Sequence, residues 1–307
     1  MSRQNSNGSM LLSGVFIVLW GTAWIAGKLG LASSGPMTLL FFRFLFAAIV
    51  LLAVALATRS RWPASLRQVG HIATAGVLIQ ALGLGGVYFG MHDGINAGIS
   101  ALLSGLAPVL TAIGAAMFLN DRIGPRHWAG LALGFIGTAV VVVDHVALGA
   151  RWQGYAITIA GLISFVAGTL YQKKFCGDMD LKTGSFIQTA AGAIVIAIPA
   201  IALESLHAIW STAFIGAITW MALVNSVIAM TLFMLLLSRG SASQVASLFY
   251  LVPPLTAFMA FIAFGESLSA DTLIGFALVV ASVYLSTRTG SARSTPMQHE
   301  AANSRTR

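Results

Sequence analysis

Acid is scarce in this chain. Nine of its 307 residues are Asp or Glu, and charged residues of both signs together make up 8%. A soluble domain carries about 25%, so a water-soluble globular fold is excluded. Cysteine is nearly absent too. The single Cys176 rules out an internal disulfide and a cysteine-based metal cluster. The short motifs of catalysis are missing: no Cys-x-x-Cys, no His-Glu-x-x-His and no Gly-x-Ser-x-Gly. The phosphate-binding Gly-x-x-x-x-Gly-Lys-Ser/Thr is missing as well, which excludes a self-contained ATP-driven pump. No enzyme, cofactor or metal is indicated.

What is there is apolar. Hydrophobic residues make up 57%, and the mean hydropathy is +0.87. A helix needs about 20 apolar residues to cross the hydrocarbon core of a bilayer. Ten stretches qualify: 11–31, 36–58, 68–90, 97–119, 125–144, 152–172, 181–203, 209–237, 242–264 and 270–287. The expected fold is therefore an all-α integral membrane protein of ten transmembrane helices. The segment at 11–31 is too long to read as a cleaved signal peptide, and Trp20, Trp24 and Lys28 interrupt it. Residues 1–10 and the polar run 288–307 read as cytoplasmic tails, the latter disordered.

The net charge of +8 invites a nucleic-acid reading, but the positive-inside rule explains it better. With the N-terminus inside, the inner segments carry fourteen of the seventeen Lys and Arg. Arg151 alone lies in an outer loop, and Lys28 and Arg43 lie within helices. That asymmetry places both termini in the cytoplasm. No nucleic-acid partner is expected, only the lipid bilayer and a small-molecule substrate.

A block of the chain also occurs twice. Pro108-Val-Leu-Thr111-Ala112, Asp121 and Gly130 recur as Pro253-Pro-Leu-Thr256-Ala257, Glu266 and Gly275, always 145 residues apart. From Ala101 to Leu133, eleven of thirty-three positions are identical at that offset. The chain thus divides into two halves of five helices, 11–144 and 152–287. Five is odd, so the halves are inverted, the arrangement of transporters whose substrate site lies between the repeats.

These residues resemble the drug/metabolite transporter superfamily, in its ten-helix EamA branch. Trp20-Gly21-Thr22-Ala23-Trp24, Arg43-Phe44, and the run from Ala101-Leu-Leu through Leu106-Ala-Pro108 to Asp121 and Gly130 carry the resemblance. The ninth and tenth helices repeat that run. Asp121 stands where the pattern usually has Glu. The resemblance covers roughly 11–287. It implies alternating access around a central cavity in a bacterial inner (plasma) membrane, as a monomer or homodimer, and export of amino acids or other metabolites.

Intramembrane charges are costly and usually functional. Arg43 lies seven residues into the second span, about 10 Å from its outer end at 1.5 Å per residue. It is the first candidate for binding a substrate's anionic group. Its alternative is a structural arginine that caps carbonyls or pairs with Asp93 or Asp144. Lys28 is a second candidate, although it is near enough to the interface to snorkel. No Asp or Glu falls mid-helix. Proton-driven exporters of cationic drugs commonly use such a carboxylate, so the cavity suits a carboxylate-bearing substrate instead. Movement would then be facilitated or by exchange, with His92 the one residue available for proton coupling.

Polar and aromatic side chains complete the candidate site. Ser100, Ser104 and Pro108 share one helix face, and Tyr88 and His92 share another. Trp24, Tyr171, Trp220, Asn225 and Tyr250 add hydrogen-bonding groups. Each could instead serve packing or the interface. Pro108 and Pro253 fall mid-span, where proline bends a helix, and are candidate hinges. Gly86-x-x-x-Gly90 and Gly130-x-x-x-Gly134 suit close helix packing. The expected activity is export of a small carboxylate-bearing metabolite such as an amino acid. Import remains open, and an intramembrane enzyme or lipid-handling protein is a more distant alternative.

Overall fold

The computed structural model describes residues 2–93, 103–121, 123–143, 152–264 and 270–287. Arg122, Asp144, Arg151, Glu266 and the tail 288–307 lie outside them. Among the described residues all regular structure is helical, apart from one isolated bridge between Ser34 and Ala208.

Helices α1 (Ser2–Leu31) and α2 (Pro36–Ala57) are joined by a short turn. Helix α3 runs without a break through Leu66–Gly76, a π-helical stretch Val77–Leu84, and Gly85–His92. Then come α4 (Ala107–Phe118), α5 (Pro125–Val143), α6 (Trp152–Phe175) and α7 (Leu181–Glu204). Helix α8 is again continuous, through Thr212–Trp220, a π-helical Met221–Ala229 and Met230–Arg239. Helix α9 is broken: Ala242–Ser247, a 3-10 turn Leu248–Leu251, and Val252–Phe264. Helix α10 is Ala270–Thr287. Residues 2–10, expected as a tail, continue α1, and the apolar part of that helix is Leu11–Leu31.

Six of these helices are long and apolar enough to cross a membrane: Leu11–Leu31, Pro36–Ala57, Leu66–Gly90, Trp152–Phe175, Leu181–Glu204 and Thr212–Arg239. Large side chains such as Ile194, Ile198, Leu203 and Ile262 are exposed on the outside. Water would not tolerate so much outward apolar surface, whereas lipid does.

The 145-residue offset reappears in the helices. Pro36 and Leu181 begin α2 and α7, Ala107 and Val252 begin matching segments of α4 and α9, and Pro125 and Ala270 begin α5 and α10. The π-helical stretches of α3 and α8 also correspond. Repeat mates pack extensively on each other, α5 with α10 and α2 with α7, and α3 packs at least as extensively along α6.

The prolines differ from expectation. Pro108 and Pro253 each stand second in their helix, Ala107–Phe118 and Val252–Phe264, behind a turn. Proline costs no helical hydrogen bond in a first turn, so the interruption comes just before each proline and not at it.

Polar end groups tie the halves together. The N-terminus of α2 is capped by the Glu204 carboxylate at the end of α7, which accepts from the Met37 and Thr38 amides at 3.0 and 2.7 Å. An anion at a helix N-terminus meets unpaired N–H groups and the positive end of the dipole. Gly35 permits the approach, since a Cβ there would overlap the carboxylate. Beside it, the Ile209 amide donates to the Ser33 carbonyl at 2.8 Å. Within the second half, at the far end of α6, Lys173 Nζ donates to the carbonyls of Leu237 and Gly240, at 2.6 and 2.7 Å, and caps α8. Burial raises the pKa of the nearby Asp121 carboxyl from its ordinary value, and the Lys173 ammonium opposes that shift.

Candidate functional site

Arg43 projects from α2 into the space between α1, α3 and α8. Its side chain is 4% exposed. The guanidinium Nε donates to Ser226 Oγ of α8 at 2.8 Å. The Tyr88 hydroxyl of α3 is its second polar partner. The guanidinium carbon also lies 5.6 Å from the centre of the Phe44 ring. Among the described residues no carboxylate pairs with Arg43. Asp93 is described and does not reach it, while Asp144 lies outside the described residues. A guanidinium taken out of water costs several kcal/mol unless it is compensated, and two hydroxyl groups do not neutralise it.

Tyr88 is placed by α1. A Cβ at Gly27 would come within 3.0 Å of its hydroxyl, so a small residue there lets α3 lie close. Trp24, one turn earlier in α1, stacks on the Tyr88 ring with centroids 6.5 Å apart and planes at 9°.

Asn225 and Ser226 are neighbours in the π-helical stretch of α8, and they serve different helices. Ser226 meets Arg43 on α2. Asn225 Nδ2 donates to the Leu19 carbonyl and to Thr22 Oγ1 of α1, at 2.5 and 3.1 Å. Thr22 Oγ1 in turn donates to the Leu19 carbonyl at 2.6 Å and accepts from Trp220 Nε1 at 3.0 Å. Trp220 itself is 46% exposed, so this chain of hydrogen bonds runs from the surface to Asn225, the residue before the Ser226 that holds Arg43.

The other half of the molecule holds the counterpart of this cluster without its charge. The residues 145 positions beyond Arg43 and Gln80 are Gln188 and Asn225. Gln188 of α7 donates to Gln172 of α6 at 3.1 Å, and Gln80 of α3 donates to Thr189 of α7 at 3.2 Å. Both half-sites are buried and polar, but only one is cationic.

The structure therefore brings together five of the residues singled out in the sequence: Trp24, Arg43, Tyr88, Trp220 and Asn225. It separates others. Tyr171 lies near the opposite end of the molecule and bonds His71 Nδ1 at 2.6 Å. Tyr250 is fully buried and donates to the Leu131 carbonyl at 2.9 Å, which joins α9 to α5. His92 is exposed at the end of α3, with its ring against Phe89. Lys28 is exposed in the last turn of α1. Ser104 is half-buried just before α4, and Ser100 lies outside the described residues. Ser226 and Thr22 were missed as site residues, although Thr22 sits in the Trp-Gly-Thr-Ala-Trp run. A buried His127 was also missed. Its ring nitrogens meet the Ser286 carbonyl and the Ser243 hydroxyl, binding α5 to α10 and α9. Among the described residues no group of three or more His, Cys, Asp and Glu could hold a metal ion.

The glycine pairs behave as expected. A Cβ at Gly86 would lie 2.7 Å from the Gly161 Cα, so α3 and α6 cross almost backbone to backbone.

The model of the EamA-like transporter family matches the chain twice, over residues 8–143 and 152–288. The chain is 27% identical over 270 residues to the inner membrane transporter YedA of Escherichia coli (strain K12), covering 88% of this chain and 87% of that one. It is 27% identical over 301 residues to a probable amino-acid metabolite efflux pump of Salmonella typhimurium, with 93% and 95% covered. One solved crystal structure is similar with a TM-score of 0.78 at 20% identity, over 92% of this chain and 96% of that one, a likeness of fold.

Proposed function

Because the chain belongs to the EamA-like transporter family, and is on that ground a membrane transporter and not an enzyme, we propose that it exports a small carboxylate-bearing metabolite, such as an amino acid, by alternating access. Arg43 carries this reading. It is a nearly buried cation with no carboxylate partner among the described residues, and a substrate anion would supply one. The name of the Salmonella relative, a probable amino-acid metabolite efflux pump, points the same way. Trp24 and Tyr88 would line the apolar side of the bound molecule, and Lys28 would attract anions at the cavity mouth. In this reading all ten helices span the bilayer as two inverted repeats. Helices α4 and α9 would flex at the turns before Pro108 and Pro253. The lack of a mid-helix acid favours movement down a substrate gradient or by exchange.

Purified protein in liposomes loaded with labelled amino acids and related organic acids tests the proposal. Efflux faster than from equally loaded liposomes without protein is expected for at least one of these acids. Efflux of none of them would count against it.

The charge split between inner and outer segments supports cytoplasmic termini. Reporters fused after Arg59 and at Arg307 should read cytoplasmic, and one at Gly149 external. An external C-terminal reporter would break the ten-span arrangement.

A further inference from the structure

Asn225 holds an unanswered acceptor. Its side chain is 1% exposed, and its Oδ1 is buried with no hydrogen-bond partner among the described residues. The orientation of the amide is not free. The Leu19 carbonyl can only accept, and it receives both the Thr22 hydroxyl and Asn225 Nδ2. Thr22 Oγ1 has spent its hydrogen on Leu19, so toward Asn225 it can only accept. Both Nδ2 hydrogens are therefore used, and turning the amide over would set its oxygen against two acceptors. Oδ1 is fixed as an acceptor that needs a donor from elsewhere.

Other buried oxygens among the described residues also lack partners, Gln188 Oε1 and Thr158 Oγ1 among them. Asn225 differs in its position. Its neighbour Ser226 holds the guanidinium of Arg43. Consecutive residues of one π-helical turn therefore carry the partner of a cation that has no carboxylate among the described residues and an acceptor that has no donor there. Such wide turns recur at functional sites. A buried acceptor left unpaired costs the full desolvation of the group, and that cost is recovered once a ligand brings the donor.

We infer that the Asn225 side-chain carbonyl reads a hydrogen-bond donor on the substrate, on the carbon next to the carboxylate that Arg43 binds. The inference rests on the carboxylate reading above and adds a ranking to it. Amino acids and hydroxy acids satisfy both groups. The oxo acids of the same skeleton bring an acceptor to an acceptor and are rejected.

The test uses matched sets in proteoliposomes containing the full chain: alanine, lactate and pyruvate, and phenylalanine, phenyllactate and phenylpyruvate. Within whichever set is transported, the amino or hydroxy acid should half-saturate at a concentration about tenfold to a hundredfold below that of the oxo acid, the worth of one hydrogen bond to a charged or buried group. In Asn225→Leu that ratio should collapse toward one while the oxo acid is still moved. A purely structural role would lower all three acids alike and leave the ratio intact, which would overturn the inference. Should Asn225→Leu fail to fold, the wild-type ratios decide alone: an oxo acid accepted as well as its partners overturns the inference and leaves the carboxylate reading standing. Transport of none of the six acids, nor of any other amino or organic acid tried in the liposomes above, would overturn both.

Discussion

Arg43→Ala is expected to abolish transport in a protein that still inserts and folds. The guanidinium is the one buried cation of the cluster, held by Ser226 and Tyr88. A hydrogen bond to a charged group contributes about 1.5–3 kcal/mol, or roughly a tenfold to hundredfold change in affinity. A carboxylate gripped by two such bonds would lose more. Arg43→Lys should recover part of the activity, since it keeps the charge but not the planar fork that holds a carboxylate with two parallel bonds. Stability should behave differently. Were Arg43 the partner of an acid, alanine would strand a buried carboxylate and destabilise the fold by about 3–5 kcal/mol. No described carboxylate pairs with it, so removing the charge should leave thermal stability unchanged or raise it. Full transport activity in a folded Arg43→Ala protein would remove Arg43 from the site.

The second large effect lies in the packing beneath the site. Gly76→Ala should destabilise the protein strongly. A Cβ at Gly76 would come within 2.7 Å of the Gln188 carbonyl carbon and closer still to other backbone atoms of that residue. The obstacle is main chain and cannot rotate away, so α3 and α7 must separate. Overpacking of this kind costs about 1–3 kcal/mol, occasionally more. Transport should fall as well, because α3 carries Tyr88 and α7 is the main packing partner of α2, which carries Arg43. Gly70→Ala, on the same helix, provides the control. Nothing lies within 4 Å of a Cβ there, and glycine inside a helix is about 1 kcal/mol worse than alanine. That substitution should be neutral or stabilising. Equal melting temperatures for the two variants in detergent would contradict the crossing of α3 and α7.

Much of the architecture was legible because its signals are periodic. Apolar runs mark helices, and the duplicated proline, threonine, acid and glycine marked the offset that the helix boundaries then repeat. Arg43 stood out because a charge in an apolar run has few ordinary explanations. The rest of the site was harder to read. Helical spacing says which residues share a face of one helix, not which other helix that face meets. Tyr171 and Tyr250 looked like cavity residues for this reason, and they prove to bond His71 and the Leu131 carbonyl instead. The π-helical turns of α3 and α8 add to the difficulty. Each wide turn shifts the later residues of its helix around the axis relative to ordinary α spacing, and within the turn of α8 Asn225 and Ser226 come to serve two different helices. Ser226 gave no signal of its own, because small hydroxyl residues are common wherever membrane helices pack closely, and Thr22 gave only its place in the Trp-Gly-Thr-Ala-Trp run. The prolines were visible, but the turns that precede them were not.

The central claim is that the site recognises an anion. The most direct measurement is competition against uptake of a labelled amino acid that the wild-type protein transports. The unlabelled free acid and its primary carboxamide have nearly the same shape and differ in the charge presented to Arg43. The account predicts that the free acid competes and that the carboxamide is weaker by about tenfold or more, the loss of a charge-assisted contact. Equal competition by acid and carboxamide would show that Arg43 does not read the substrate's charge, and would contradict the account.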